Sequence, residues 1–166
     1  MLRRRVLLPA LALLPLAGCG FKLRGAPDFA FQSLYCGSPD SSPLWTELKR
    51  QLRATGVVQV YTLAQDQAKA QVWLDLLAEQ REKVVVGLNA AGQVRELQLR
   101  LRVKFRLRHP QGHELIPEVE LQQQRDMSFS ETLALAKDAE ERLLYKDMQT
   151  DIVQQMMRRL AAPRHL

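Results

Sequence analysis

The chain has 166 residues, 46% of them apolar, with 24 basic and 18 acidic side chains and a formal charge of +6. That is room for one domain with a hydrophobic core, and there is no internal repeat or low-complexity segment to suggest an array or a disordered polymer. Part of the positive charge belongs to the first eighteen residues, which carry Arg3, Arg4 and Arg5 and no acid; without them 21 basic residues face 18 acidic ones, a formal +3 that gives no reason to expect nucleic-acid binding.

Those residues, MLRRRVLLPALALLPLAG, join a basic patch to an apolar run from Val6 to Ala17 that is too short for a stable membrane span. This is the layout of a secretory signal, assigned to residues 1–18. The run ends in Leu16, Ala17, Gly18 and Cys19, which resembles the box of bacterial lipoproteins in which the cysteine sulfur receives diacylglycerol and the new amino terminus an acyl chain. Several chains on one residue give stable anchoring. With Gly20, and no aspartate, after the cysteine, the resemblance implies delivery to the outer membrane, with the protein on its periplasmic side and its lipid in the inner leaflet. Residues 19–28 then form a lipidated tether. With Cys19 committed to lipid no intramolecular disulfide is available; Cys36 is expected as a small buried thiol, with an intermolecular disulfide as the alternative.

A single domain is expected over 29–162, followed by a tail at 163–166. FAFQSLYC, 29–36, reads as a first strand with Phe29, Phe31 and Tyr35 on one face. A polar turn leads to Ser42, an N-cap for a helix opening on Pro43; Leu44, Leu48 and Leu52 recur along one side, and Gly56 closes it. Val57 to Tyr61 is a short strand, followed by a polar connection at 63–71.

Two hairpins come next: a strand from Val72 to Leu88, a turn at NAAG (89–92), a strand from Val94 to His109, a turn at PQG (110–112), and a strand from Glu114 to Met127 in which Pro117 marks an edge or a bulge. From Ser130 to Leu160 the spacing predicts a helix of roughly 45 Å at 1.5 Å per residue. Ser128 and Glu131 stand at capping-box spacing, and Leu133, Ala136, Leu143, Leu144, Met148, Ile152, Met156 and Leu160 form its apolar stripe. Together these elements predict an α+β fold, a two-layer sandwich whose mixed, mostly antiparallel sheet carries both helices on one face and leaves the other uncovered.

In LQLRLRVKFRLR, 97–108, five cations (Arg100, Arg102, Lys104, Arg106 and Arg108) alternate with apolar residues, so that one face of this strand is a column of positive charge. A simple hairpin register sets Arg108 opposite Glu114, Lys104 opposite Glu118, Arg102 opposite Glu120 and Glu79, and Arg106 opposite Asp75. Arg100 then faces Arg81 and Gln122, with Lys83 next on the same face. Arg81, Lys83 and Arg100 are therefore the expected anion-binding patch, since clustered cations without acid partners suit phosphate or carboxylate ligands.

His109, His113 and His165 have no metal-ligand spacing, and no HExxH, GxSxG, P-loop or GxGxxG is present. The expectation is a binding or assembly protein, with no catalytic residues and neither metal nor cofactor beyond the lipid on Cys19.

CGFKLRG after the signal, PLWTELKRQLRATGV in the first helix and SFSETLALAKDAEERLLYKDMQTDIVQQMMRRL at the end together resemble the LptE family of lipopolysaccharide-assembly lipoproteins over nearly all of the chain after the signal. The resemblance implies a plug in the lumen of the outer-membrane β-barrel LptD that supports barrel assembly and binds lipopolysaccharide on its way to the outer leaflet. Of two basic positions tied to lipopolysaccharide in the family, one carries over as Lys137, in ALAK. The other is an arginine at the turn between the long strands, where NAAG has no cation; Arg81, Lys83, Arg95 and Arg100 are the candidates to supply it, and Arg95 lies nearest in sequence. The competing reading is a free-standing periplasmic lipid or glycolipid carrier, which would need an apolar cavity.

Overall fold

Alternating polarity over three consecutive long segments dictates an antiparallel meander, and the short apolar segments before it add two further strands. The computed structural model describes residues 27–37 and 41–163. Its elements are β1 (Ser33–Tyr35), α1 (Pro43–Ala54), β2 (Gln59–Tyr61), β3 (Val72–Leu88), β4 (Val94–Arg108), β5 (Glu114–Ser128) and α2 (Ala134–Leu160). The signal segment, Cys19, most of the tether and residues 164–166 lie outside the described residues.

The five strands form one sheet in the order β2-β1-β3-β4-β5. β1 runs parallel to β2 and β3, and β3, β4 and β5 pair antiparallel, so the sheet is mixed. Along β4 every apolar residue from Leu97 to Leu107 is buried, on the face that both helices cover. Leu44, Trp45, Leu48 and Leu52 of α1 join Tyr145, Met148, Ile152, Val153, Met156 and Leu160 of α2 and this strand face in one core. The predicted two-layer α+β sandwich is what forms.

Local chemistry explains the boundaries of α1. The Ser42 hydroxyl accepts the Trp45 N–H at 3.0 Å, and Pro43 occupies a first-turn position where its missing donor costs nothing. At the other end Gly56 adopts φ +70°, the left-handed conformation that lets the chain leave a helix.

Four expectations are corrected. β1 has only three residues, and bends at Ala30 and Gln32 break the face assigned to Phe29, Phe31 and Tyr35. Leu34 and Cys36 enter the core instead, and Phe31 is buried ahead of the strand, 5.4 Å from the Phe29 ring. The connection at 63–71 contains a short 3-10 helix, Ala64–Lys69.

The capping box at Ser128 and Glu131 does not form. Ser128 is still in the β5 ladder, opposite Glu96, and lies too far ahead of the first turn of α2 to cap it. The chain turns through a 3-10 segment, Glu131–Leu133, before α2 begins at Ala134. The apolar stripe also starts later than its spacing suggested: Leu133, Ala136 and Leu143 are exposed, and α2 buries side chains only from Tyr145 onward.

Candidate functional site

Two irregularities decide which charges share a face. In β3, Leu76 lies opposite Phe105 and Ala78 opposite Lys104, so Leu77 is an extra, unpaired residue. Beyond this bulge the alternation is inverted: Glu79, Arg81 and Lys83 lie opposite Val103, Leu101 and Leu99, on the helix side, while Gln80 and Glu82 lie opposite Arg102 and Arg100 on the uncovered side. The second irregularity, at Pro117 in β5, moves Val119 opposite Phe105 and Glu120 opposite Lys104.

The predicted pairings change accordingly. Arg106 opposite Asp75 and Arg108 opposite Glu114 hold. Lys104 faces Glu120 in place of Glu118, Arg102 faces Gln80 and Gln122 in place of Glu79 and Glu120, and Arg100 faces Glu82 and Gln124 in place of Arg81 and Gln122. The expected patch of Arg81, Lys83 and Arg100 is therefore split between the two faces of the sheet.

On the uncovered face the cations are largely neutralised. The Asp75 carboxylate accepts Arg106 Nε at 2.8 Å and Arg108 Nε at 2.7 Å. Lys104 Nζ lies 3.5 Å from both Glu118 and Glu120, and Arg102 pairs with Glu82 at 3.2 Å. Arg100 donates to Gln98 at 2.8 Å and has no ion pair among the described residues. Arg108 also stacks over Trp73, 4.6 Å from its centroid, and Tyr35 meets the same ring edge-on. This face is polar, compensated and wettable.

Partial burial acts to raise the pKa of Asp75, but the hydrogen bonds and charges of Arg108 and Arg106 outweigh it and hold the carboxyl below its ordinary value. A depressed folded pKa contributes stability above the unfolded pKa and loses it as pH falls through the folded one. Asp75→Asn should therefore lower stability at neutral pH, by under about 1 kcal/mol for so accessible a pair. Urea unfolding from pH 7 down to 2 should show the difference shrinking with acidification; a gap that persists at the acid end would show that the ion pairs are not its source.

The far end of the sheet is different. Leu97 pairs with Val85 on one side and Met127 on the other, and the Phe129 N–H donates to the Arg95 carbonyl at 2.7 Å, so the β3–β4 tip, the end of β5 and the start of α2 lie together. Val85, Val86, Leu88, Leu133 and Leu135 are exposed there, Leu135 at 86%. Arg95 is exposed at this end. Lys137 is only 15% exposed and donates to the Ser128 hydroxyl at 2.9 Å and to Glu140 at 2.8 Å. Cation and apolar surface adjoin here, a combination suited to an amphiphile with an anionic head.

Arg81 and Lys83 belong to a separate cleft beneath α2. Lys83 pairs with Glu141, a hydrogen bond that raises the ammonium pKa, and the Arg81 guanidinium lies 5.3 Å from the Tyr145 ring centroid. Arg142 and Lys146 line the same cleft. Their i,i+4 spacing in the sequence was the available signal for them, but only the bulge at Leu77 brings β3 cations beneath it.

A family model described as Lipopolysaccharide-assembly matches residues 31–160. The LPS-assembly lipoproteins LptE of Yersinia pestis (strain Pestoides F) and of Yersinia pseudotuberculosis (serotype O:1b, strain IP 31758) are each 32% identical to this chain over 165 residues, covering 96% of it and 77% of the relative. Among solved structures, an uncharacterized lipoprotein B from Nitrosomonas europaea superposes with a TM-score of 0.72 at 35% identity, covering 86% of this chain and 91% of its own. The rare lipoprotein B from Shewanella oneidensis shares the fold, with a TM-score of 0.65 at 24% identity over 78% of this chain and 94% of its own.

Proposed function

The chain belongs to the LptE family of lipopolysaccharide-assembly lipoproteins, and from that premise we propose that it works as the lumenal plug of the outer-membrane barrel LptD and contacts lipopolysaccharide there. Its role in lipopolysaccharide assembly is not an enzymatic one. The observation that carries the plug reading is the uncovered sheet face. Three strands of 15 to 17 residues present a charge-compensated polar surface about 50 Å long at 3.4 Å per residue. Such a surface can lie against the wet inner wall of a barrel without exposing apolar area.

The core speaks against a carrier that shelters lipid chains inside. Leu99, Leu101, Val103 and Phe105 are fully buried in the same cluster as Met148, Ile152 and Met156, so the apolar stripe of α2 is spent on the sheet. Lipopolysaccharide contact is assigned to the amphiphilic end, where Lys137 and Arg95 offer cations beside exposed Val85, Val86 and Leu135. Arg100, which has no ion pair among the described residues, adds an anion contact on the uncovered face. Cys19 carries the lipid, with the protein held to the inner leaflet of the outer membrane.

Affinity purification of the tagged lipoprotein from detergent-solubilised outer membrane tests this reading. One large β-barrel should remain bound at near-equal stoichiometry. Lys137→Gln should leave that complex intact and weaken capture of lipopolysaccharide by roughly tenfold, the scale of one charge-assisted hydrogen bond. Recovery of the protein alone, or with lipid only, would transfer the assignment to the carrier.

A further inference from the structure

The cleft between β3 and α2 is not part of the amphiphilic end and has its own chemistry. It is an open hollow of about 620 Å³ lined by Pro43, Arg81, Lys83, Glu141, Arg142, Tyr145, Lys146 and Gln149. Four of these side chains are cations and one is a carboxylate. Two of the cations come from a strand and two from a helix, and they line one hollow only because the Leu77 bulge turns Arg81 and Lys83 to the helix side.

Its floor is held in place. The Tyr145 hydroxyl donates to the Glu82 carbonyl at 2.8 Å, tying α2 to the β3 backbone beside Arg81 and Lys83. Arg81 rests over the Tyr145 ring, with Gln149 at 3.4 Å and Glu79 at 3.7 Å. Gln149 is itself fixed by donating to the Pro43 carbonyl at 3.0 Å. Lys83 is taken by Glu141. Arg142 and Lys146 have no ion pair among the described residues; of the carboxylates nearby, Glu79 accepts from Ser42 and Glu47 from Arg50 and Gln51, while Glu47 also attracts Lys146 and Asp138 attracts Lys83 at longer range.

We infer that this cleft is an anion site that takes a phosphate group, held by Arg81, Arg142 and Lys146 over the Tyr145 floor. An excess of like charge around one concavity is unfavourable until an anion enters, and guanidinium forks match phosphate oxygens. Phosphate on a glycolipid headgroup and free phosphate share this chemistry. The headgroup source rests on the lipopolysaccharide contact proposed above, whereas the site itself does not.

The test uses the full lipoprotein in detergent and the variant Arg142→Gln/Lys146→Gln, whose changes fall on exposed side chains outside the buried core. Inorganic pyrophosphate should shift the side-chain NMR resonances of Arg81 and Arg142. The double variant should weaken pyrophosphate binding, read on Arg81, by roughly tenfold or more, and higher salt should weaken it in the parent protein. Phosphorylated lipopolysaccharide should compete and its dephosphorylated form should not; pyrophosphate binding without such competition would keep the site and make its ligand free phosphate. An unshifted Arg81, or equal affinity in parent and variant, would overturn the inference. The double variant should still co-purify the barrel, so failure here and failure of the plug reading are separable.

Discussion

Leu101→Ala is expected to cost about 2–5 kcal/mol of stability, while Arg102→Ala, one residue along the same strand, costs under about 1 kcal/mol. Leu101 sits at the middle of β4, fully buried between the β3 and β5 partners Arg81 and Gln123 and within the cluster that includes Met148 and Ile152. Truncating it removes apolar contacts and leaves a cavity under a helix that is tied to the sheet and cannot collapse freely. Arg102 meets Glu82 on the wet face, where solvent replaces what is lost. Urea unfolding followed by circular dichroism measures both. Equal costs would mean that α2 does not cover this face.

That contrast was legible in the sequence because a strand has period two: LQLRLRVKFRLR assigns one face to the core and the other to charge without further information. The same period made the patch of Arg81, Lys83 and Arg100 fail. A single extra residue, Leu77, inverts every side chain after it, and nothing in VWLDLLAEQREKV distinguishes a bulge at 77 from continuous pairing. Glu79 and Lys83 then find α1 and α2 partners, Ser42 and Glu141, that no ladder argument could supply.

The start of α2 failed for a related reason. Ser128 has the chemistry of a cap, but its backbone is committed to β5, and Lys137 reaches back to its hydroxyl instead. Tertiary pairing overrode a local signal. Conversely, Ser42, Pro43 and Gly56 specified α1 correctly because a cap, a first-turn proline and a left-handed glycine act within a few residues of chain.

Exchanging residues 1–19 for a leader that ordinary signal peptidase removes, with no cysteine at the junction, is expected to release the protein from the membrane wherever it outnumbers the barrel. Among the described residues no helix is long and apolar enough to cross a membrane, so in this reading only two attachments remain: acyl chains on Cys19 and the barrel. The partition constant that one acyl chain supplies is on the order of 10⁴ M⁻¹, and additional chains make anchoring stable. Loss of all of them should therefore move the excess protein into the soluble periplasmic fraction almost completely. The parent should stay membrane-bound at any expression level, and the exchanged form should stay bound only up to one copy per barrel. If the exchanged form stays membrane-bound beyond that ratio, the anchor cannot be the Cys19 lipid and must lie in the folded domain, with the exposed apolar end at Val85, Val86, Leu133 and Leu135 as the surface to mutate next.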